Sequence, residues 1–332
     1  MRKLLLTLLV LLSLLVVSAL AALCIGEISF SPGELLALRD APEDDIRLNI
    51  LMQLRVPRIL LGLIAGGALS LAGVILQGIF RNPLVEPYTL GISGGASVGV
   101  TLAILLGLHT AYGGLALSLA GFLGALATIF VVYGLGIRRG QVRIQTLLLT
   151  GVMISFISSS LMLLMMSLSK TEDLPGIVFW IMGSLAETDG ALITLLCITS
   201  FLVLLLSFLY APQLNAMRLG SERAMQLGVD TDRVIKLLFV FSSLLTGICV
   251  SIVGVIGFVG LIVPQLMRAL LGTDNRILLP ASFFGGGIFL IISDIVARTI
   301  ISPNELPIGV ITGIIGGSVF ILVMAKGKEI RN

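Results

Sequence analysis

Five stretches of this chain run for a full membrane-crossing length without a charged residue: Leu4 to Gly26, Ile59 to Phe80, Ile144 to Ser169, Gly190 to Met217 and Leu306 to Ala325. Each reaches the roughly 20 apolar residues that a helix needs to cross about 30 Å of hydrocarbon. Charged residues make up only 12% of the chain and the mean hydropathy is +1.13, whereas soluble domains carry roughly 25% charged residues. The pattern predicts an all-α integral membrane protein.

The interval Pro87 to Ile137 carries no charge and is too long for one span. It is interrupted near Leu108-His109-Thr110 and at Gly113-Gly114, which predicts a hairpin of two helices. Leu237 to Met267 reads as two further helices broken around Gly254 to Gly257, and Ile277 to Ser293 is short but strongly apolar. The count is about ten spans by the same length criterion. The N-terminus imitates a secretory signal, with a basic start and a cysteine. Its apolar stretch exceeds the roughly 7 to 15 residues of a signal core, and Leu23 before Cys24 is a poor cleavage position. It is read as the first span.

Orientation follows from the basic residues. If Arg2 and Lys3 are inside, alternating crossings gather Arg81, Arg139, Arg143, Arg218, Arg223, Arg233, Lys236, Arg268, Arg276 and Arg331 on the cytoplasmic face, as the positive-inside rule demands. Acids such as Glu34, Asp40, Asp44, Glu172, Asp173 and Glu305 collect outside, and both termini are expected inside. The net charge of +3 is then a topological signal, with no concentrated basic, aromatic-rich patch for nucleic acid.

Several chemistries are missing from the sequence. His109 is the single histidine, so the usual convergent metal ligands are lacking. Cys24, Cys197 and Cys249 lie in apolar runs without paired spacing and read as small buried hydrophobes. No GxxxxGK[ST] loop is present to cradle phosphates, so any ATP must be hydrolysed by a partner. HExxH does not occur, and the serines at Ser158 to Ser160 suit helix packing. The chain is not expected to be an enzyme. Intramembrane acids, the usual mark of ion-coupled transport, are almost absent. Asp294 is the nearest case, and Arg298 follows in register to pair with it.

Three segments stand out against the apolar background. The inner loop from Ala211 to Arg233 contains SERAMQLG, in which Ser221 suits a helix cap, Glu222 its first turn and Gly228 its end. A short helix displayed to the cytoplasm is something a soluble partner can grip. On the outer side, RVPR places Arg55 and Arg58 at the mouth of the second span, and Arg298 stands at the end of the ninth. Two readings stay open for these cations: docking of a partner's carboxylates, or anchoring at helix ends. The third segment is RNPLVEPYTLGISGGA, residues 81 to 96, whose prolines forbid a continuous helix and whose glycines permit tight re-entry. Irregular backbone of this kind is tolerated at membrane depth where it is buried in protein or lines a path.

Together these segments resemble the permease subunits of ABC importers for ferric siderophores, haem and cobalamin, the FecCD-type permeases of type II importers. The resemblance spans essentially the whole chain. It rests on RVPRILLGLIAGGALSLAGVILQGIFRNPLVEPYTLGISGGASVG, on RAMQLGV, on GFVGLIVPQLMRALLGTDNRILLP, and on DIVAR followed by NELPIGVITGIIGG. It implies a single transmembrane domain over residues 1–332, a dimer with the path on its two-fold axis, and a coupling segment at about 213–230. Ser221, Glu222, Arg223, Ala224, Gln226, Leu227 and Gly228 would engage one of two ATPase subunits. Those subunits would carry ATP and Mg, and the permease itself would bind no cofactor and no metal. Arg55, Arg58 and Arg298 would receive a periplasmic or lipoprotein substrate-binding protein.

Asn82, Pro83 and Leu84 match an inner gate, and Arg143, Ile144 and Gln145 match a second gate element in the translocation path. Two departures from the family pattern are Gln265, where relatives commonly carry histidine, and Ser318, where they carry proline. The expectation is a bacterial or archaeal cytoplasmic-membrane permease moving a ferric siderophore or haem, with cobalamin as the alternative. An ion-coupled secondary transporter and a membrane scaffold or receptor without transport are the rivals.

Overall fold

The computed structural model describes residues 2–26, 28–37, 42, 45–138, 141–187, 189–302 and 304–329. Of the charges assigned above to the two faces, Asp40, Asp44, Arg139 and Arg331 lie outside these residues. The first span is α1 (Arg2–Cys24), followed by the short helix α2 (Pro32–Ala37). Then α3 (Ile46–Asn49), a π-helical stretch (Ile50–Arg55) and α4 (Val56–Phe80) form one continuous helix from Ile46 to Phe80.

The second span therefore begins well before Ile59, where the charges of Arg55 and Arg58 had set its limit. Pro57 lacks an N–H and crowds the preceding turn, and the π stretch upstream absorbs the fault, with the Val56 N–H reaching Leu51 O. The two arginines are tolerated in the helix because their charges are satisfied inside the fold, as shown below.

The predicted hairpin is present as α5 (Ile92–Leu105), the one-turn α6 (Leu108–Tyr112) and α7 (Gly114–Gly136). A two-residue antiparallel ladder, β1 (Ile137–Arg138) with β2 (Gln141–Val142), turns the chain into α8 (Ile144–Leu168). The nine-residue helix α9 (Leu174–Met182) has no counterpart in the sequence reading, being too short to register as a span. The run Gly190 to Met217 is not one helix. It divides into α10 (Gly190–Leu209) and α11 (Ala211–Met217), because Pro212 fits the first turn of a new helix and breaks the old one.

The remaining elements are α12 (Ser221–Gln226), α13 (Thr231–Val253), α14 (Val259–Leu271), α15 (Asn275–Thr299) and α16 (Ile308–Glu329). The break at Gly254 to Gly257 separates α13 from α14 as expected, and α16 runs unbroken through Ser318. Among the described residues, seven helices are long and apolar enough to cross a membrane, and three shorter apolar helices, α5, α14 and α16, accompany them. This is an all-α integral membrane fold.

The middle of the molecule is α4, most of whose residues are buried. It packs on α15, α13 and α14. Association of helices in lipid depends on close packing, because the surroundings are as apolar as the side chains. Gly66 and Gly286 supply that closeness between α4 and α15: a Cβ on Gly66 would stand 2.2 Å from the Gly286 carbonyl oxygen. Gly73 plays the same part against Gly260 of α14, at 2.0 Å. By contrast, α8 and α10 bury few residues within the chain and expose Phe156, Ile157, Leu163, Ile198 and Leu205. Ser158 is the buried member of its serine cluster and packs against Gly94 of α5. Cys249 is buried, whereas Cys24 and Cys197 are partly so.

Candidate functional site

The polar groups of this apolar chain gather at two ends of the bundle. At the outer end, Asp294 of α15 is nearly enclosed, and each of its carboxylate oxygens accepts from a different arginine. Arg58 Nε donates to Oδ1 at 2.8 Å and Arg298 Nε to Oδ2 at 2.9 Å. Arg58 Nη1 also donates to Glu305 at 2.9 Å. Arg55 takes a different route, donating to the carbonyls of Leu23 and Ile28 while its guanidinium lies 4.7 Å from the centre of the Phe30 ring.

The structure thus brings the three sequence-predicted arginines together, but Arg55 and Arg298 are only 6% and 8% exposed. Both hold the end of α1, where their side chains converge on Gly26. Among the described residues, Arg58 is the one of the three that shares an ion pair with an exposed acid, since the Glu305 side chain is 51% accessible.

At the inner end, α4 stops at Arg81, whose φ of 50° is left-handed, and the chain turns through Asn82 to Glu86 into a 3₁₀ turn at Pro87–Leu90. Asn82 Oδ1 accepts from the Leu84 N–H at 2.9 Å, the side-chain turn that suits an Asn ahead of Pro. A second break faces the first. Phe258, at φ 68°, opens α14, the Ile256 N–H donates to Tyr88 Oη at 3.1 Å, and Gln265 Nε2 donates to the Pro83 carbonyl at 2.8 Å.

Asn82 also lines a cavity of about 630 Å³ whose opposite wall is Arg143, Ile144, Gln145 and Thr146. Two segments some sixty residues apart, matched to gate elements by resemblance alone, therefore face one open space. Pro83 lines a neighbouring pocket, and Leu84 is exposed.

The displayed inner helix is α12, with one difference from expectation. Gly220, at φ 110°, occupies the cap position and Ser221 is the first helical residue, without a capping bond. The other end is as expected: the Val229 N–H reaches Ala224 O and the Gly228 N–H reaches Met225 O, with Gly228 at φ 84°. This is the paired-bond termination that glycine permits. Ala224 is buried and fastens the helix, whereas Glu222, Arg223, Met225, Gln226 and Leu227 are exposed.

Two sets of hydrogen bonds tie this segment to its surroundings. The Asp232 carboxylate, in the first turn of α13, accepts from the Val142 N–H at 3.2 Å, next to the second gate element. Asn215 of α11 bridges to the start of α15, donating to Asp274 at 2.7 Å and accepting from the Asn275 N–H at 2.9 Å. The Asp274 carboxyl is held below the usual carboxylate range, first by the Arg276 N–H and then by Asn215. Asn215, Asp232 and Gln77 were not singled out from sequence. Gln77 carried a signal, as the one amide within the apolar run Ile59 to Phe80, and it donates to the Gly260 carbonyl at 3.0 Å.

The FecCD transport family profile matches residues 14–326. The chain belongs to that family. It is similar to the hemin transport system permease protein HmuU of Yersinia pestis, at 36% identity over 97% of this chain and 96% of that one. It is likewise similar to the vitamin B12 import system permease protein BtuC of Klebsiella pneumoniae, at 38% identity over 95% and 92% of the two chains. A solved structure of a metal-chelate type ABC transporter in an inward-facing conformation superposes with a TM-score of 0.85 at 34% identity. It covers 96% of this chain and 98% of that one. The FecCD family comprises permeases of ABC importers, and this member is a multi-pass membrane protein.

Proposed function

We propose that this FecCD permease forms a homodimer that passes a bulky metal chelate, haem or a ferric siderophore, into the cell. A binding protein delivers the chelate from outside, and two ATPase subunits, which hold ATP and Mg, grip α12 from the cytoplasm. The whole chain acts as one transmembrane domain of a bacterial or archaeal cytoplasmic membrane, with both termini inside. It hydrolyses nothing itself and holds no cofactor.

The observation that carries this reading is the short path from α12 to the gate. Movement of α12 is transmitted to α13, whose Asp232 holds the turn leading to Arg143, Ile144 and Gln145. Movement of α11 is transmitted through Asn215 to α15, which packs along α4 and so bears on Asn82, Pro83 and Leu84. A rigid helix with hydrogen-bonded ends moves as a unit, which suits a switch between two packed states. The conduit itself needs little charge, because a chelate held tightly is released slowly.

At the outer face, Arg58 is the residue positioned to receive the binding protein, with a partner carboxylate taking the place of exposed Glu305. Arg55 and Arg298 support it from behind. Cobalamin remains a second reading for the cargo, favoured by the similarity to the Klebsiella permease.

Replacing Glu222 and Gln226 by Trp tests the coupling assignment. Both side chains are exposed on α12, so the dimer is expected to fold while ATP hydrolysis no longer drives uptake. Undiminished uptake by that double variant removes α12 from the mechanism.

A further inference from the structure

Beside α12 lies a second feature that the coupling reading does not use. A pocket of about 290 Å³ opens at the inner end between the break after α4, the end of α14 and the turn before α15. Three of its lining side chains are Arg81, Arg218 and Arg268, and none of the described residues that line it is acidic. Its remaining polar wall includes Gln77, Thr273 and Asn275.

The three guanidiniums are permanently charged, and each offers the planar fork that matches a carboxylate or phosphate. Arg268 donates to Gln77 Oε1 at 2.5 Å and Arg218 to the Thr273 carbonyl at 2.8 Å, both neutral acceptors. None of the four ion pairs among the described residues involves any of the three. Arg218 and Arg268 lie close enough to repel each other. Asp274, beside the pocket, feels Arg218, and its bonds from the Arg276 N–H and Asn215 both fall on Oδ1. One flanking carboxylate against three guanidiniums leaves the pocket net positive, which favours an entering anion.

The position selects among anions. Arg218 stands between α11 and α12, two residues before the Gly220 cap. Arg81 reaches the same cap from the other side, its Nη1 standing 3.7 Å from where a Cβ on Gly220 would be. Asn82 belongs both to this pocket and to the larger gate cavity, so the opening sits beside the inner mouth. Met225 and Leu227 are exposed on α12, whose Gly220 cap lies beside Arg81, so a protein that covers α12 reaches the edge of the pocket. We propose that Arg81, Arg218 and Arg268 receive an acidic side chain of the ATPase subunit, a charged contact beside the apolar grip on α12. This rests on α12 being the coupling helix. It gives the interface an anchor of the fork type that arginine provides at binding hot spots.

The test uses the full-length permease in nanodiscs of phosphatidylcholine alone and of phosphatidylcholine with phosphatidylglycerol, titrated with the purified cognate ATPase subunit. Arg218→Gln and Arg81→Gln are each expected to weaken binding about tenfold and to reduce its salt dependence in both lipid mixtures, with Arg218→Lys, which keeps the charge and loses the fork, restoring the salt dependence but only part of the affinity. Thermal unfolding of each variant, expected to match the native chain, separates lost contact from lost fold. Native-like affinity in both glutamine variants overturns the inference. So does a loss confined to the anionic nanodiscs, which makes the pocket a lipid-phosphate site. If the Trp substitutions on α12 abolish binding while the arginine variants do not, the coupling reading stands and this inference alone fails. If the native permease binds no ATPase subunit, both fall.

Discussion

A cluster of three arginines stands at each end of the bundle, and the two clusters are in opposite electrostatic states. At the outer end Arg55, Arg58 and Arg298 are closed by the chain's own groups: Asp294 between two of them, Glu305 at the rim, and main-chain carbonyls for the third. At the inner end Arg81, Arg218 and Arg268 share a pocket with no acid among the described residues of its wall. Arg55 and Arg298 are committed to holding α1, α4 and α15 together and Arg58 stands at their rim beside exposed Glu305, whereas the inner set lines an open pocket. The surrounding carboxylates set how much of each arginine's charge is satisfied within the chain.

The comparison is broken most severely at Asp294. Asp294→Asn leaves Arg298 enclosed without a counter-charge and Arg58 with Glu305 alone, an expected loss of about 3 kcal/mol. The check is thermal unfolding of the full-length chain in detergent. Glu305→Gln, at the exposed rim of the same network, is expected to cost under about 1 kcal/mol. If the two variants behave alike, the outer network is a surface feature after all. Arg58→Glu is next in size. It is expected to weaken docking of the loaded binding protein in a salt-dependent manner, about tenfold at low ionic strength, as measured by titration onto the reconstituted permease. Unchanged docking leaves Arg58 with an anchoring role only.

Much of this contrast was hidden in the sequence, for a physical reason. The all-α membrane fold followed from the lengths of apolar runs, because the bilayer sets helix length, and the pairing of Asp294 with Arg298 followed from helical register. The pairing of Asp294 with Arg58 did not, since it joins residues 236 positions apart. Without it, Arg58 looked free and appeared to end the second span, which in fact begins at Ile46.

The inner end was legible as a break, because Pro83, Pro87 and the glycines announce one. Its facing partner, the left-handed Phe258, carries no such signal. Ser221 was misplaced by one position because a serine before an acid imitates a cap, while Gly220 supplies the backbone angle needed there. The gate residues came from resemblance. The placement of Asn82, Arg143, Ile144 and Gln145 around one cavity is a property of the fold.

Smaller effects sharpen the inner half of the comparison. Asn82→Ala removes the side-chain bond to the Leu84 N–H, at a cost of about 1 kcal/mol, and is expected to raise passive leak of substrate through proteoliposomes lacking ATP. An unaltered leak separates Asn82 from the gate.

Asp274 offers the smallest effect. Its carboxyl is depressed in the folded chain, so its contribution to stability is complete above the ordinary aspartate value, about 4, and is lost as pH falls through the lower folded value. The unfolding midpoint should therefore drop more steeply with acid in the native chain than in Asp274→Asn.

The most direct test of the account is ATP turnover by the permease reconstituted in liposomes with its ATPase and binding protein. The predicted result is that turnover and uptake rise together when the binding protein is loaded with haem, a ferric siderophore or cobalamin, with one of the three chosen over the others. Uptake that proceeds on an ion gradient, without the ATPase subunit, contradicts it.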